Sequence, residues 1–412
     1  MKPRTLALRY GQGLIEVAVP AGADILDAQE PSSTVNYEHF RHGIAGLLAG
    51  ADLTQAIAVV VADKTRLCGY TTVLPWLMEA LTRQGVRKEQ ITFSIAYGNH
   101  VRQSETECLA AYGEVYRAYP FIHHDSSEQT AFAYLGTTRR GTPVRVRQDV
   151  VSTRTIITIG AISHHYFAGF GGGRKLLFPG LGERQAIFAN HRLLLDADAP
   201  RLAPGCQPGQ LAGNPLAEDL EEINTLLPPY YSIHGLLNSH GQLAALRFGR
   251  NYQEFLTVCR EHDQHYRIPA SQQYDLVLAS AGGYPKDINM IQAHKALHNA
   301  AMFVRDGGQL ILLAQCADGI GSATFLPSFE MGGPEQAYEH LRANYSGNGG
   351  TALALMAKTR RIAISMLTDL PVERCQRIGL KSVDYQTLAA SLRQPGLRIA
   401  IIPNSSMVIG AS

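Results

Sequence analysis

The chain has 412 residues, 45% hydrophobic and 17% charged, which is enough apolar surface for large cores and too little charge for a disordered polymer. Its 37 basic and 35 acidic residues leave a formal charge of +2, and no stripe of Lys/Arg interleaves with aromatics, so nucleic acid is not an expected partner. A length near this value predicts two domains with a cleft between them.

The opening "MKPRTLALRYGQGLIEVAVP" lacks the continuous apolar run of a secretory leader, and no window approaches the roughly 18 apolar residues of a membrane span. The expectation is a cytoplasmic protein with no membrane partner. "AIAVVVAD" (56–63) reads as a strand, "TVLPWLMEALTRQG" (72–85) as a helix and "ITFSIAYGNH" (91–100) as a strand, and "RTIITIGAIS" (154–163) repeats the strand pattern. Buried strands alternating with helices predict an α/β fold with mostly parallel sheets.

After "HDQHYRIPASQQ" the pattern restarts with "YDLVLASAGG" (274–283), a helix over Ile291–Phe303, and further strands in "GGQLILLAQC" (307–316), "TRRIAISML" (359–367) and "GLRIAIIPN" (396–404). The predicted division is an N-terminal α/β catalytic and cofactor-binding domain, residues 1–269, and a C-terminal α/β domain, 270–412, that closes over the substrate. The last strand is free to return to the first domain. Cys68, Cys108, Cys206, Cys259, Cys316 and Cys375 stand alone with no CxxC pair, which reads as reduced core thiols.

Open α/β sheets collect ligands beyond the carboxyl ends of their strands. Four loops fall there: "DKTR" (63–66), "GNH" (98–100), "SHHYFAGFGGGRKLLFPG" (163–180) and "GGYPKD" (282–287). In the third, three glycines let backbone N–H groups approach an anion and Lys175 adds charge, a phosphate-binding pattern. Leu176 stands where a P-loop would carry its magnesium-holding hydroxyl, so a nucleoside triphosphate is disfavoured, and a tight turn with a solvated lysine is the plain alternative.

His164 and His165 precede the glycines, His191 follows Lys175 by sixteen residues on a predicted helix, and His100 ends another strand. Each histidine suits a hydrogen-bonded structural place. Two imidazoles facing one carbon would instead remove and return a proton, which suits racemisation as well as dehydrogenation. Asp63 and Arg66 offer either a carboxylate-binding fork or a capping pair. Gln292 and Lys295, at i and i+3, share a helical face that closes on a ligand or meets solvent.

Taken together, "DKTR", "GNHVR", "HHYFAGFGGGRKLLFPG", the "NH" at 190–191 and "GGYPKDINMIQAHKALHNA" resemble, in order and spacing, the lactate racemase family of nickel-pincer-nucleotide enzymes. The ten-residue step from His165 to Lys175 and the sixteen-residue step to His191 both match. The resemblance implies a racemase or epimerase that inverts C2 of a 2-hydroxy acid by proton-coupled hydride transfer. It implies that Lys175 carries the nickel-pincer nucleotide through a thioamide, that His191 completes the nickel coordination, and that His100 and His165 are paired acid/base catalysts. Arg66, Gln292 and Lys295 match substrate-orienting residues, with Lys295 also reaching the chemistry. Asp63, Thr65, Gly171, Gly172 and Gly173 are expected to support Arg66 or hold the cofactor. Cofactor-synthesis enzymes become implied partners.

Two departures bear on substrate. Ile291 stands where relatives acting on lactate carry an aromatic residue, and the sole tryptophan, Trp76, lies far from the second-domain position those relatives use. Malate, a longer 2-hydroxy acid or a sugar acid are the expected alternatives to lactate. Two other function classes are a non-catalytic nucleotide-binding protein and an NAD-dependent 2-hydroxyacid dehydrogenase. The missing GxGxxG after the first strand disfavours the dehydrogenase.

Overall fold

IAVVVA, at Ile57–Ala62, is buried at all six positions, as a β-branched run must be when both faces of its sheet are covered. A computed structural model describes residues 4–269 and 272–411 and places this strand inside a six-stranded sheet. The order is Leu243–Gly249, Tyr231–Leu237, Thr155–Ala161, Ile57–Ala62, Ile91–Ala96 and Phe121–His123. Every pairing is parallel except the edge hairpin Tyr231–Leu237/Leu243–Gly249. The helix Tyr70–Arg83 carries the chain between neighbouring strands and buries Val73, Leu74, Leu77 and Leu81, spaced as one helical stripe.

A second six-stranded sheet is parallel throughout, in the order Lys381–Ser382, Ala363–Leu367, Val304–Leu313, Tyr274–Ser280, Ile399–Ile402 and Asp24–Ile25. The strand Ile399–Ile402 thus lies in the second sheet. The first strands of the chain do not follow the chain-order division 1–269. Asp24–Ile25 pairs with Ile399–Ile402, and the hairpin Thr5–Tyr10/Gly13–Ala18 buries Leu8 and Val17 against Leu276, Leu278 and Ile401. Alternation in "TLALRY" and "GLIEVA" creates one apolar face that must be covered, but nothing local says which sheet covers it. The expected boundary at 269/270 abuts residues 270 and 271, outside the described residues. Among the described residues no helix is long and apolar enough to cross a membrane, and all six cysteines are buried and unpaired.

Strand order reverses between Ile57–Ala62 and Thr155–Ala161, which is where an open α/β sheet opens a crevice. The last paired residues are Val61 and Ile159. Just beyond, the buried Tyr70 hydroxyl accepts from the Ala62 N–H at 2.7 Å and donates to the Ile159 carbonyl at 2.8 Å. It satisfies two backbone groups that the parting strands leave unpaired. Tyr70→Phe should therefore orphan both and lower stability by on the order of 2–4 kcal/mol in urea unfolding, with the slope of the transition unchanged.

Candidate active site

Asp63 follows the Ile57–Ala62 strand and caps the short 3-10 turn Lys64–Arg66, accepting from the Thr65 N–H at 2.7 Å and its hydroxyl at 2.6 Å. The carboxylate is 2% exposed, and its second oxygen lies 2.5 Å from Nδ1 of His100, in the loop after Ile91–Ala96. Arg66 approaches that oxygen at 3.9 Å and donates to the Thr65 hydroxyl at 3.0 Å. Burial would raise the Asp63 carboxyl, but His100, Arg66 and the Thr65 hydroxyl together hold it well below the usual carboxylate range. Thr65 and Asp63 do not line the cleft; they fix the two groups that do.

His164 and His165 end the strand Ser163–His165, paired with Gly169–Gly171, and alternate across it. His164 turns to the helix Tyr252–Tyr266 and bonds Asp263 at 2.6 Å. His165 faces the cleft, and its Nδ1 accepts from the backbone N–H groups of Phe167 at 3.2 Å and Ala168 at 3.1 Å. Burial, then Lys175, Arg66, Lys295 and His191, push this imidazole well below its ordinary value.

The glycine run is not one cradle. Gly171 and Gly172 line the cleft, and a Cβ on Gly172 (φ +74°) would stand 2.3 Å from the Ala161 carbonyl. Gly173 faces the other way, where a Cβ would meet the Phe255 ring at 2.5 Å. Arg174 follows it, fully buried, its guanidinium 4.7 Å from the Phe255 centroid and 5.5 Å from that of Tyr252, cation–π contacts with two neighbouring rings. Lys175 returns to the cleft, and its Nζ forms no ion pair or hydrogen bond with the described residues. Burial first, then Arg66, Arg174 and Lys295, lower its amine well below the usual lysine range.

His191 lies on the helix Arg184–Arg192, and its Nδ1 donates to the Ile187 carbonyl one turn back at 2.8 Å. Nε2 is thereby left bare toward the cleft, the form in which imidazole binds a metal. Burial and then Lys175 push this ring down to about 4, so it is neutral at pH 7. From the second sheet, the helix Met290–Ala300 presents Gln292 and Lys295, joined by a 2.6 Å bond from Nζ to Oε1. Burial, Arg66 and Lys286 lower the Lys295 amine, against an opposing pull from Asp63.

These side chains meet in one cavity of about 530 Å³. Among the described residues no three His, Cys, Asp or Glu groups converge as a self-sufficient metal centre, so His191 offers a single donor. A lysine amine that burial and neighbouring cations lower well below the usual lysine range, a bare imidazole nitrogen and the Gly171–Gly172 backbone fit a tethered nucleotide whose metal arrives with its other ligands. Several cleft residues carried no signal in the sequence. Arg184, Ser322, Thr324 and Asn348 line the cavity, and Tyr166 stacks on His165 with centroids 5.1 Å apart while its hydroxyl bonds Thr351 at 2.9 Å. Single polar residues outside a repeating pattern have no spacing to betray them. Ile291 lines the cavity, whereas Trp76 packs on Tyr37 and Phe40.

The architecture and cleft define an α/β protein that gathers cations and imidazoles where two parallel sheets open. The same fold is found in the lactate racemase apoprotein of Thermoanaerobacterium thermosaccharolyticum, with a TM-score of 0.87 at 23% identity over 99% of this chain and 100% of that one. A Thermotoga maritima protein matches at a TM-score of 0.70 and 16% identity, covering 92% of this chain and 99% of its own. The family model of the lactate racemase N-terminal domain matches residues 10–202, and that of the C-terminal domain matches 270–347. The chain belongs to the lactate racemase family. Its relatives include the lactate racemases of T. thermosaccharolyticum, 27% identical over 275 residues, and of Lactiplantibacillus plantarum, 25% identical over 270. These matches cover 66% and 65% of this chain but 63% and 62% of the relatives, less than two thirds of their length.

The cations around Lys175 have a measurable effect on the cofactor-free protein. At about pH 7.5 an N-hydroxysuccinimide ester should acylate Lys175 ahead of solvent-exposed lysines, and Arg66→Ala should slow that reaction by letting the amine keep its proton. Peptide mass spectrometry reads the site; unchanged labelling in the variant would contradict the electrostatic account.

Proposed function

We propose that the protein is an isomerase, a 2-hydroxyacid racemase or epimerase, working in the cytoplasm with a nickel-pincer nucleotide supplied by cofactor-synthesis enzymes. The observation that carries this reading is the meeting of Lys175 and the bare Nε2 of His191 in one cleft with His100, His165 and Arg66. Lys175 would hold the nucleotide covalently, His191 its nickel, and the Gly171–Gly172 backbone its phosphate. When bound, this group supplies a reversible hydride acceptor.

The chain's own residues do the rest. Arg66 and Lys295 attract the substrate carboxylate, and Gln292 holds Lys295 in place. His100, its Nδ1 held by Asp63, takes the C2 hydroxyl proton at Nε2. Inversion leaves no net redox change, so no soluble nicotinamide is consumed. The substrate we infer is a 2-hydroxy acid other than lactate, such as malate, a longer acid or a sugar acid. Ile291, Ser322 and Thr324 on the cavity wall support it, giving one apolar surface and two hydroxyls.

The test is co-production with the cofactor-synthesis enzymes, followed by intact mass, nickel content and a panel of chiral 2-hydroxy acids assayed for loss of optical activity. The wild-type protein should gain the nucleotide mass and racemise or epimerise at least one acid. Lys175→Ala should gain no mass, and His191→Ala should keep organic adduct while losing most of its nickel. NADH formation in place of racemisation, or full loading of Lys175→Ala, would overturn the assignment.

A further inference from the structure

Beyond the carboxyl end of the strand Val304–Leu313, the loop holding Ser322 and Thr324 meets the loop that opens the helix Gly349–Arg361, and Ser322, Thr324 and Asn348 all line the cleft. The approach is close: a Cβ on Gly347 (φ +54°) would stand 2.1 Å from Oγ1 of Thr324. Asn348 holds the N-cap position of its helix, yet its side chain does not cap; Nδ2 donates instead to Oγ of Ser322 at 2.9 Å. Its backbone N–H donates to Oγ1 of Thr324 at 3.0 Å, the Thr324 N–H donates to Oγ of Ser322 at 3.3 Å, and the two hydroxyl oxygens lie 3.0 Å apart. The first loop is also tied to the helix that carries Gln292 and Lys295. There the Met290 N–H donates to the Gly319 carbonyl at 2.9 Å and the Ile291 N–H to the Ile320 carbonyl at 3.2 Å.

A hydroxyl has one proton and two lone pairs, so this net can be followed bond by bond. Ser322 accepts from Asn348 and from the Thr324 N–H, and must give its own proton to Thr324. Thr324 then accepts from Ser322 and from the Asn348 N–H, and its own proton, like Oδ1 of Asn348, has no partner among the described residues. With the Asn348 amide turned over, the Ser322 proton goes to Oδ1 and the Thr324 proton to Ser322. The unmet groups are then the Asn348 NH2 and a Thr324 lone pair. In both arrangements Thr324 and Asn348 show the cleft a donor beside an acceptor. A carboxylate only accepts and an ammonium only donates, so either would leave one of the two unmatched, and an alkyl tail would leave both. A hydroxyl answers both. The two loops put no charged group on the cavity wall, and its cations Arg66, Arg184 and Lys295 stand on other elements.

We infer that Thr324 and Asn348 form a subsite for a neutral hydroxyl carried on the substrate's chain beyond C2, so that the acid inverted is a polyhydroxy acid rather than a dicarboxylate or an acid with a hydrocarbon tail. This rests on the racemase reading and narrows it. With the carboxylate drawn to Arg66 and Lys295, the chain beyond C2 passes Ile291 and reaches the two loops, and the bonds from Met290 and Ile291 hold the subsite at a fixed distance from Lys295. A site built to bond a hydroxyl rejects the analogue that lacks one, because the site's own polar groups are then left unpaired. Selection therefore falls on the far end of the substrate, away from the histidines that face its reacting carbon.

The test compares, in cofactor-loaded enzyme, a panel of aldonic acids (gluconate and its shorter relatives) with 2-hydroxyalkanoates of matching length and with malate. The best aldonic acid should exceed its matched alkanoate and malate by about 10²-fold or more in kcat/KM. Thr324→Val keeps the shape and removes the hydroxyl. It should cut kcat/KM for that aldonic acid about tenfold more than for the alkanoate, chiefly through KM, and Thr324→Ser should recover most of the loss. Malate or an alkanoate as the better substrate, or equal losses on both acids in Thr324→Val, overturns the inference. If the loaded wild-type protein inverts no acid, the racemase reading fails instead, and calorimetric titration of the same panel into the cofactor-free protein decides the subsite. Tighter binding of an aldonic acid than of its alkanoate, weakened by Thr324→Val, supports it; equal binding of the two, or binding of neither, overturns it.

Discussion

The cleft depends on one buried carboxylate. Arg66, Lys175, Lys295 and Lys286 act on one another through a poorly hydrated space, and like charges so placed repel strongly because little water screens them. Asp63 is the anion set among them, and it keeps its charge because three separate donors address its two oxygens. A carboxylate that deep would otherwise take up a proton to avoid desolvation. Burial and the surrounding positive charge lower the amines of Lys175 and Lys295, and the cavity is receptive to anions.

The strands were readable because burial on both faces demands unbroken β-branched runs, and "AIAVVVAD" or "RTIITIGAIS" has no other stable use. The loops at their carboxyl ends were readable for the same reason, since a parallel sheet sends them all to one edge. What stayed hidden depended on partners distant in the chain. The N-terminal hairpin displays an apolar face without naming the sheet that accepts it. Gly173 belongs with its neighbours by composition but is set apart by Phe255, more than eighty residues later. Tyr70 looks like ordinary helix core, and only the parting of two strands gives its hydroxyl work.

The site is assembled from both sheets, and Tyr166 touches residues carried by each. Its ring lies on His165, its hydroxyl bonds Thr351 on the helix Gly349–Arg361, and His294 and His298 meet its edges with centroids 5.7 Å away. Any shift of the second sheet's helices is transmitted through rigid aromatic contacts to the imidazole that faces the substrate space. Gln292 and Lys295 ride on the same helix as His294 and His298, so substrate grip and histidine orientation share one mechanical support.

The adjacent pair His164–His165 shows how a strand's two-residue repeat can serve as an index. The bond from His164 to Asp263 is a peg on the rear face of a three-residue ladder too short to define its own alignment. With that peg seated, the neighbouring ring has only one direction left, toward the cavity. Slipping the hairpin by a single residue would present the wrong histidine while keeping the same composition in the site. The selectivity between two identical side chains is thus written in parity, and a carboxylate on the far side of the strand enforces it.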